Sequence, residues 1–469
     1  MLLPNIETEL AGIDFGDARL TKRLESIAEV LQRHPEETYP DAFMDSSDTD
    51  TFYKFLKNKK TDYIKIIDTH IKKTNQRALG SETVLILHDS TYIVHASGGK
   101  GKDFYELLGK SFGYMAHVGL CIDCDTRIPF GVSNLECIQR DDTLQEARQA
   151  QSDVERWMNE NKESLRWIRG VMNAKQQIQT NRIHVMDREG DNYQLLEKMT
   201  EENERFVIRG CYDRNILIDN KKSKISTIAA KTPVIATRKV HLSKRVAKNK
   251  KQKSNKSRQA RDAFLTIHAF QAEIMKSTMI PDSIKIMKSI RVNVVLVQED
   301  EPPPEQEAVC WTILTTESID STENVLKIVD IYRNRWIIED LFKSLKTGCS
   351  FSERQLESQK TSQVALAITL PIAWRLLLIR QLARDAPELP ALTLVSEEEI
   401  FTLSTILKKP PSNYKTVRDV WRGIAQLGGY LPHNRPPGWL VLGRGFAKLM
   451  QACSFAQAMR QKIAEEGSA

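Results

Sequence analysis

Residues 332–346 read YRNRWIIEDLFKSLK and carry the most informative pattern in the chain. In an α-helix, at about 100° per residue, five polar side chains would fall within an arc of about 80°: Tyr332, Arg335, Glu339, Lys343 and Lys346. The apolar side chains would occupy the opposite side, so we expect one helix over about 321–347 that packs by one face. The other face would present a carboxylate among a phenol and three cations. A surface helix with Glu–Lys pairs is the alternative interpretation.

Two further carboxylates follow predicted strands. Asp89 comes after the unbroken apolar run VLIL of residues 84–87, which is typical of a central strand covered on both faces, and Asp187 follows HVM of residues 184–186. Strand ends hold side chains rigidly, and three carboxylates can hold two divalent ions that promote phosphodiester cleavage. Magnesium prefers such all-oxygen ligation. Many strands simply end in Asp, so position alone does not decide between the two interpretations.

The order of the patterns predicts three regions in 469 residues. Helical spacing dominates residues 1–80, strands and helices alternate over 81–360, and helices dominate 361–469. We expect an α/β central region with a β-rich insertion at about 211–307. The strands are expected at about 83–87, 114–123, 128–136, 182–186, 205–209, 263–270, 288–298 and 308–315.

Positive charge is concentrated in one segment. Lys and Arg number 68 against 61 Asp and Glu, yet residues 221–261 hold fifteen Lys or Arg and no acid. Such a run suits the phosphates of DNA, and a solvated loop is the alternative. A second cluster is interleaved with aromatic residues and suits either nucleic acid or a helix exterior; it comprises Lys54, Lys57, Lys59, Lys60, Lys65, Lys72, Lys73 and Arg77.

Composition excludes several classes of protein. With 41% hydrophobic and 28% charged residues, the chain has the composition of a soluble globular protein and not of a disordered one. The longest uncharged apolar stretch, 361–374, contains Pro371 and ends before Arg375, so we expect no membrane span. The N-terminus lacks a basic segment before an apolar run, so we expect a cytoplasmic protein.

Seven scattered cysteines indicate reduced thiols. Cys121 and Cys124 form a C-x-x-C, but no second pair stands at zinc spacing and the surrounding sequence is strand-like. We therefore interpret them as sheet residues in preference to zinc ligands.

The order Asp89, Asp187, Glu339, with a β-rich insertion before the third, resembles the DDE transposases of the bacterial insertion-sequence-four family. The motif YxxRxxxExxxxxxK of that family stands here as Tyr332, Arg335, Glu339 and Lys346. The resemblance covers about residues 10 to 450 and continues in FGDARLTKRL, HDST, GKSFGYMAHVGL, MDREGD, ENERFVIRG, LKTG and, more weakly, IAQLGGY.

The resemblance implies a ribonuclease-H-like core in which the three acids are catalytic and hold two Mg²⁺ ions, or Mn²⁺ in their place. It implies that Tyr332, Arg335 and Lys346 grip phosphates, with Lys343 on the same face, and that Trp311 stacks on a flipped base. Trp311 as an ordinary core residue is the alternative. The remaining implied DNA contacts are Arg188, Arg209, Arg19, Lys22 and Arg23.

The implied activity is cut-and-paste transposition. Residues 1–80 would bind transposon ends, 81–360 would cleave and join, and 361–469 would form the homodimer that pairs two ends before insertion into target DNA. The implied location is the bacterial cytoplasm, at the nucleoid, with no membrane partner. Two alternatives stay open: a catalytically silent DNA-binding repressor, and a stand-alone nuclease of the same fold.

Overall fold

The computed structural model describes residues 3, 5–95, 104–107, 111–139, 152–160, 162–242, 244, 258–278, 280–304, 306–354, 356–431 and 436–466. These residues form an α/β protein with helical regions at both ends, as expected from the sequence. A large hydrophobic core joins the N-terminal helices, the sheet and the C-terminal helices, and two smaller clusters lie on the other side of the sheet.

The N-terminal region is helical, as predicted. Asp17, Asp45 and Asp62 cap three of its helices, each accepting a hydrogen bond from a backbone N–H of the first turn. The helices are α1 (Ile6–Leu10), α2 (Ala18–Arg33), α3 (Tyr39–Phe43), α4 (Ser46–Lys57) and α5 (Tyr63–Ala78).

The centre of the molecule is a twelve-stranded sheet. Its strands are β1 (Thr83–His95), β2 (Tyr105–Glu106), β3 (Phe112–Asp123), β4 (Pro129–Ile138), β5 (Asn181–Met186), β6 (Arg205–Arg209), β7 (Asn215–Ile218), β8 (Lys221–Lys224), β9 (Ala236–Leu242), β10 (Arg261–Met275), β11 (Ser289–Glu299) and β12 (Cys310–Thr315). One half has the order β4-β3-β1-β5-β6, in which β1 is antiparallel to β3 and parallel to β5. The other half continues as β12-β11-β10-β7-β8, with β9 also paired to β10.

The insertion is β-rich, as predicted, but it extends the central sheet. Strand β12 pairs antiparallel with both β6 and β11, so the hydrogen-bond ladder runs unbroken from the core into the insertion. Strands β9 and β10 form a hairpin whose connection carries most of the basic run. Residues 243 and 245–257 of that run lie outside the described residues.

Helices cover both faces of the central strands. They are α6 (Asp153–Met158), α7 (Arg166–Gln177), α8 (Tyr193–Glu201), α9 (Ile225–Ala229), α10 (Thr322–Arg333) and α11 (Trp336–Lys343). Residues alternate between the faces of β1: Leu85 and Leu87 join the core that contains α11, whereas Val84 and Ile86 join the cluster that contains α7 residues. We call these the front face and the rear face.

The expectation of one continuous helix over 321–347 is wrong. Helix α10 ends at Arg333, α11 begins at Trp336, and a π-helical segment covers Ser344–Gly348. The sequence contains no Gly or Pro at the break, so the helical pattern continues across it unchanged.

The C-terminal region consists of α12 (Gln359–Asp385), α13 (Glu397–Ile406), α14 (Val417–Leu427) and α15 (Trp439–Glu466). Pro371 lies inside α12 without ending it and is buried, as are the residues on either side of it. Among the described residues, α12 alone is long and apolar enough to cross a membrane, but 94% of its apolar window is buried inside the protein. This is the burial of a core helix.

Candidate active site

Two aspartates lie just beyond the parallel ladder that joins β1 and β5. The expectation that Asp89 follows the end of a strand is wrong, because β1 continues to His95 in its pairing with β3, whereas Asp187 does come directly after β5. The ladder between β1 and β5 ends with Leu87 opposite Val185, and two residues further along each chain are Asp89 and Asp187. Because side chains alternate along a strand, both carboxylates continue the front face on which Leu87 and Val185 lie. Each is also held locally, since Ser90 N–H donates to Asp89 Oδ1 at 2.7 Å and Glu189 N–H donates to Asp187 Oδ1 at 2.9 Å.

Arg335 brings the third carboxylate to the first. It lies at the break between α10 and α11, is buried, and donates from Nη2 to Glu339 Oε1 at 2.6 Å and from Nη1 to Asp89 Oδ2 at 3.3 Å. Helix α11 packs on β1, which sets Glu339 near the part of that strand that carries Asp89. The structure therefore unites Asp89 and Glu339 through one guanidinium. Because Arg335 Nε has no hydrogen-bond partner among the described residues, that side chain retains an unused donor.

The carboxylates repel one another. Burial, together with the charges of Asp187 and Glu339, raises the pKa of Asp89 to about 7, against the lowering effect of Arg335 and the Ser90 amide. The burial of Arg335 acts to lower its pKa, but the hydrogen bond to Glu339 and nearby negative charges raise it overall. A cluster of acids with one cation is therefore electrostatically short of positive charge.

The other motif residues are placed differently from one another. Tyr332 is buried in α10 with its ring at 5.5 Å from the Trp311 ring, edge to face. Lys346 is half-buried in the π-helical segment, and burial lowers its pKa. Lys343 is exposed and donates to Asp340 at 3.0 Å. The expected single polar face is thus divided, with Tyr332 turned inward and Lys343 engaged by a neighbouring acid.

A cavity of about 1150 Å³ opens between the core and the insertion; its lining includes Trp336, Ile337 and Asp340 of α11 but none of the three acids. Trp311 lines it, as do Arg188 at the start of the turn after Asp187 and Arg209 at the end of β6. Six arginines and four acids line the cavity in all, so its lining is net positive. The sequence analysis missed Trp336, which lines the cavity with 57% of its surface exposed; a tryptophan inside the charged part of the motif was the available signal.

The basic run is partly neutralised in three dimensions. Arg238 pairs with Asp330, Lys239 with Asp262 and Arg261 with Glu299. These acids lie outside the run or at its edge, so counting charges along the sequence overstated the free positive charge of its described part.

Arg19, Lys22 and Arg23 are exposed on α2, which packs against α1 and the C-terminal helices α12 and α15. Two lysines of the second cluster join this surface: Lys60 Nζ donates to Gly16 O and Lys65 Nζ to Asp14 O, each at 3.5 Å. We call these five cations the α2 surface. Arg77 does not belong with them, because it pairs with buried Glu9.

Comparison with known proteins places two families on this chain. The family model described as transposase DNA-binding matches residues 5–61, and that described as transposase DDE domain matches residues 162–374. The first match contains the α2 helix; the second contains Asp187 and Glu339 and begins after Asp89. A solved piggyBac transposase synaptic complex with hairpin DNA is similar over 81% of this chain and 74% of that chain, at 12% identity and a TM-score of 0.38.

DDE transposase domains generally use divalent metal ions. In the described part of the chain, no group of three His, Cys, Asp or Glu residues stands close enough together to hold an ion as the side chains lie. The donor chemistry nevertheless fits, because Asp89, Asp187 and Glu339 are oxygen ligands with mutual repulsion to relieve. Arg335 would have to release Asp89 and Glu339 for all three to share an ion.

The DDE domain implies a ribonuclease-H-like core, and the mixed sheet between helical N- and C-terminal regions agrees with it. DNA is the partner that the N-terminal match indicates. The chain thus carries a transposase DNA-binding match followed by a transposase DDE match, the two domains of a DDE transposase enzyme.

Proposed function

We propose that this chain is a cut-and-paste DNA transposase of the insertion-sequence-four family, similar to the transposase of transposon five. The observation that carries the proposal is that Asp89 and Asp187 each lie two residues beyond the last pair of the β1–β5 ladder, with Arg335 joining Asp89 to Glu339. These three acids are proposed as the catalytic ligands of two Mg²⁺ ions, with Mn²⁺ as a substitute. Bound ions would activate the attacking oxygen and stabilise the leaving one.

The remaining site residues would hold DNA. Once it has released Glu339, Arg335 has a planar set of donors suited to a phosphate. Lys346, half-buried in the π-helical segment, would supply a second cation, and Tyr332 would support Trp311 through their ring contact. Trp311, Arg188 and Arg209 line the cavity, where a base and its phosphates could be held by stacking and by charge.

The proposed reaction has four in-line transfers at this site. Water attacks the phosphodiester at the transposon end and releases a 3′ hydroxyl, which then attacks the opposite strand to close a hairpin. A second water opens the hairpin, and the same 3′ hydroxyl attacks target DNA. Each transfer breaks one P–O bond and forms one, so a single set of residues can serve all four.

The α2 surface is proposed to bind the phosphates of the transposon end. We expect Arg19→Ala and Lys22→Ala each to reduce the slope of log affinity against log salt by about 0.9 for every phosphate that the side chain neutralises in the wild type. Lys415→Ala, at an exposed position in the C-terminal region, is the matched control and should leave the slope unchanged. An unchanged slope in both α2 variants would remove these residues from the DNA interface.

The C-terminal helices are proposed to pair two chains. Phe455, Met459 and Ile463 lie four residues apart on α15 and are 69%, 45% and 62% exposed. Helix α13, which packs against α15, exposes 60% of Phe401. An exposed apolar stripe of this kind is typical of an interaction surface. A second copy of the chain would cover it when two ends are brought together.

The pairing is tested by the mass of the complex with end DNA, measured by light scattering. We expect two chains and two DNA ends for the wild type, and one of each when Phe455 and Ile463 are both changed to Ser. Leu392→Ser, at an exposed leucine outside the stripe, should pair normally. Pairing by the double variant would contradict the assignment of this surface.

The activity is tested on a plasmid that carries the element's own ends. We expect wild type to release the element in Mg²⁺ and not in EDTA, Glu339→Gln to bind ends without cleaving, and Glu323→Gln, at an exposed carboxylate of α10, to cleave normally. Binding without cleavage by the wild type would favour the repressor. Cleavage of single unpaired ends, unaffected by Trp311→Ala, would favour the stand-alone nuclease.

A further inference from the structure

Arg166 is a buried arginine on the rear face of the sheet. It is the first residue of α7, which packs on β1, β3 and β4, and its side chain is 6% exposed. Nη1 donates to the Glu163 carbonyl at 3.0 Å, which fixes the guanidinium against the start of its own helix. Nε and Nη2 reach two other segments of the chain.

These two contacts fall on the residues that follow the aspartates. Arg166 Nε donates to Ser90 Oγ at 3.0 Å, and Arg166 Nη2 donates to Glu189 Oε2 at 2.5 Å. The backbone N–H groups of Ser90 and Glu189 donate to Asp89 and Asp187 respectively. The Arg166 guanidinium therefore hydrogen-bonds to both Ser90 and Glu189, the two residues whose backbone amides donate to Asp89 and Asp187.

The Ser90 hydroxyl is also fixed from its other side. His117 Nδ1 lies 3.0 Å from Ser90 Oγ. Burial, together with the charges of Arg166 and Arg169, lowers the pKa of His117 to about 3, so the ring is neutral. Its Nδ1 can therefore accept a hydrogen bond from the Ser90 hydroxyl. Close packing supports the arrangement, since a Cβ at Gly170 of α7 would lie 2.9 Å from His117 Nε2.

We propose that Arg166 is a positioning residue that sets the separation of Asp89 and Asp187 from behind the sheet, and thereby the affinity of the site for its metal ions. The inference rests on the proposed function, because it takes both aspartates as ligands. Arg166 touches neither of them. It acts through Ser90 and Glu189, whose amides would shift if the guanidinium no longer joined the two segments.

Arg169 offers a matched comparison one turn along the same helix. Its Nε donates to Glu136 Oε1 of β4 at 2.7 Å, so it makes an arginine–carboxylate pair between the same helix and the same sheet. That pair does not reach the aspartate segments. If Arg166 served only to attach α7, the two arginines should behave alike.

The test is the Mg²⁺ concentration that gives half-maximal cleavage of end DNA, measured for Arg166→Met, Arg166→Lys, Arg169→Met and Glu189→Gln. We expect Arg166→Met to need at least about tenfold more Mg²⁺, the order of loss found when a group that supports a metal ligand is removed. End binding should stay within about twofold of wild type. Arg166→Lys should recover much of the loss, Glu189→Gln should show a smaller increase, and Arg169→Met should match wild type.

Two results would overturn the inference. One is an unchanged Mg²⁺ requirement in both Arg166→Met and Glu189→Gln; because Glu189 is 63% exposed, its variant is expected to fold even where Arg166→Met does not. The other is a loss of cleavage by Arg166→Met that is equal at every Mg²⁺ concentration, with no recovery in Arg166→Lys. Asp89→Asn separates the two proposals. Cleavage by that variant would refute the proposed site itself, whereas its inactivity, together with a normal Mg²⁺ requirement in both Arg166→Met and Glu189→Gln, would refute this inference alone.

Discussion

Two buried arginines contact the Asp89–Ser90 segment of β1 from opposite faces of one sheet. On the front face, Arg335 hydrogen-bonds directly to the carboxylates of Asp89 and Glu339. On the rear face, Arg166 hydrogen-bonds to Ser90, which follows Asp89, and to Glu189, which is two residues after Asp187. It does not contact either aspartate side chain. The front arginine therefore competes with any cation for the carboxylates, while the rear arginine leaves them available.

The two faces also differ in how their titratable groups are held. The front face gathers acids, and burial with like charge raises the pKa of Asp89 to about 7. The rear face stacks His184, His88 and His117, whose pKa values burial lowers, so these rings are neutral and hydrogen-bonded. The charge of Asp89 on the front face can therefore change near neutral pH, whereas the three histidines of the rear face stay neutral there.

The largest expected effect comes from replacing Arg335, and the two arginine variants should change Mn²⁺ affinity in opposite directions. Arg335→Met should lower the cleavage rate by about 10²- to 10³-fold, as loss of one charge-stabilising donor does in other enzymes. It should also tighten Mn²⁺ binding by the DNA-free protein, because the guanidinium no longer occupies Asp89 and Glu339. Arg166→Met should weaken Mn²⁺ binding. Calorimetric titration measures both, and shifts in the same direction would break the distinction between the faces.

Thermal unfolding in EDTA should show opposite pH dependences for the two faces. The raised pKa of Asp89 stabilises the fold at low pH, and that contribution is lost as pH rises from about 4 to 7, so Asp89→Asn should gain several degrees over wild type between pH 5 and pH 8. The lowered pKa of His117 contributes stability above about pH 6.5 that is lost as pH falls toward 3. The destabilisation caused by His117→Gln should therefore shrink from pH 8 to pH 5.

Glu323→Gln, an exposed carboxylate change, serves as the control for both pH series and should follow wild type. Parallel curves for Asp89→Asn and His117→Gln would mean that the two faces do not differ in the way that their pKa shifts indicate.

The smallest expected effect sharpens the description of the rear face. Ser90→Ala removes the acceptor of Arg166 Nε and the partner of His117 Nδ1, leaving buried polar groups unsatisfied at a cost of about 1–3 kcal/mol in the free energy of unfolding. Arg166 would still hold Glu189, so cleavage should fall only a few-fold and less than in Arg166→Met. Denaturant unfolding and cleavage rates check the two parts. If Ser90→Ala lost as much cleavage as Arg166→Met, the whole effect of Arg166 on cleavage would act through Ser90.

The sequence predicted eight of the twelve strands in the described part of the chain, because these depend on local patterns; β2, β7, β8 and β9 were not predicted. The buried run before Asp89 identified β1, and the motif around Glu339 identified the helix that carries the third acid. Predicted strand positions lie within two residues of those observed, except at β1 and β10, each of which extends further. These features depend on residues close together in sequence.

The rest depended on packing between distant segments. The break at 334–335 carries no Gly or Pro, and it turns Tyr332 inward against Trp311, whereas periodicity kept it on the polar face. Arg166 stands 76 residues from Ser90, so no local pattern could connect them. The available signal was a cationic residue at the start of an amphipathic helix.

The direct test of the proposed site is a change of metal preference. Asp89→Cys and Asp187→Cys replace an oxygen ligand by a thiolate, which binds Mg²⁺ poorly and softer ions well. We expect both variants to bind end DNA, to fail to cleave it in Mg²⁺, and to regain cleavage when Cd²⁺ is added, whereas Asp89→Ala and Asp187→Ala should regain none. Cleavage in Mg²⁺ by Asp89→Ala at the wild-type rate would contradict the assignment of the two aspartates as metal ligands.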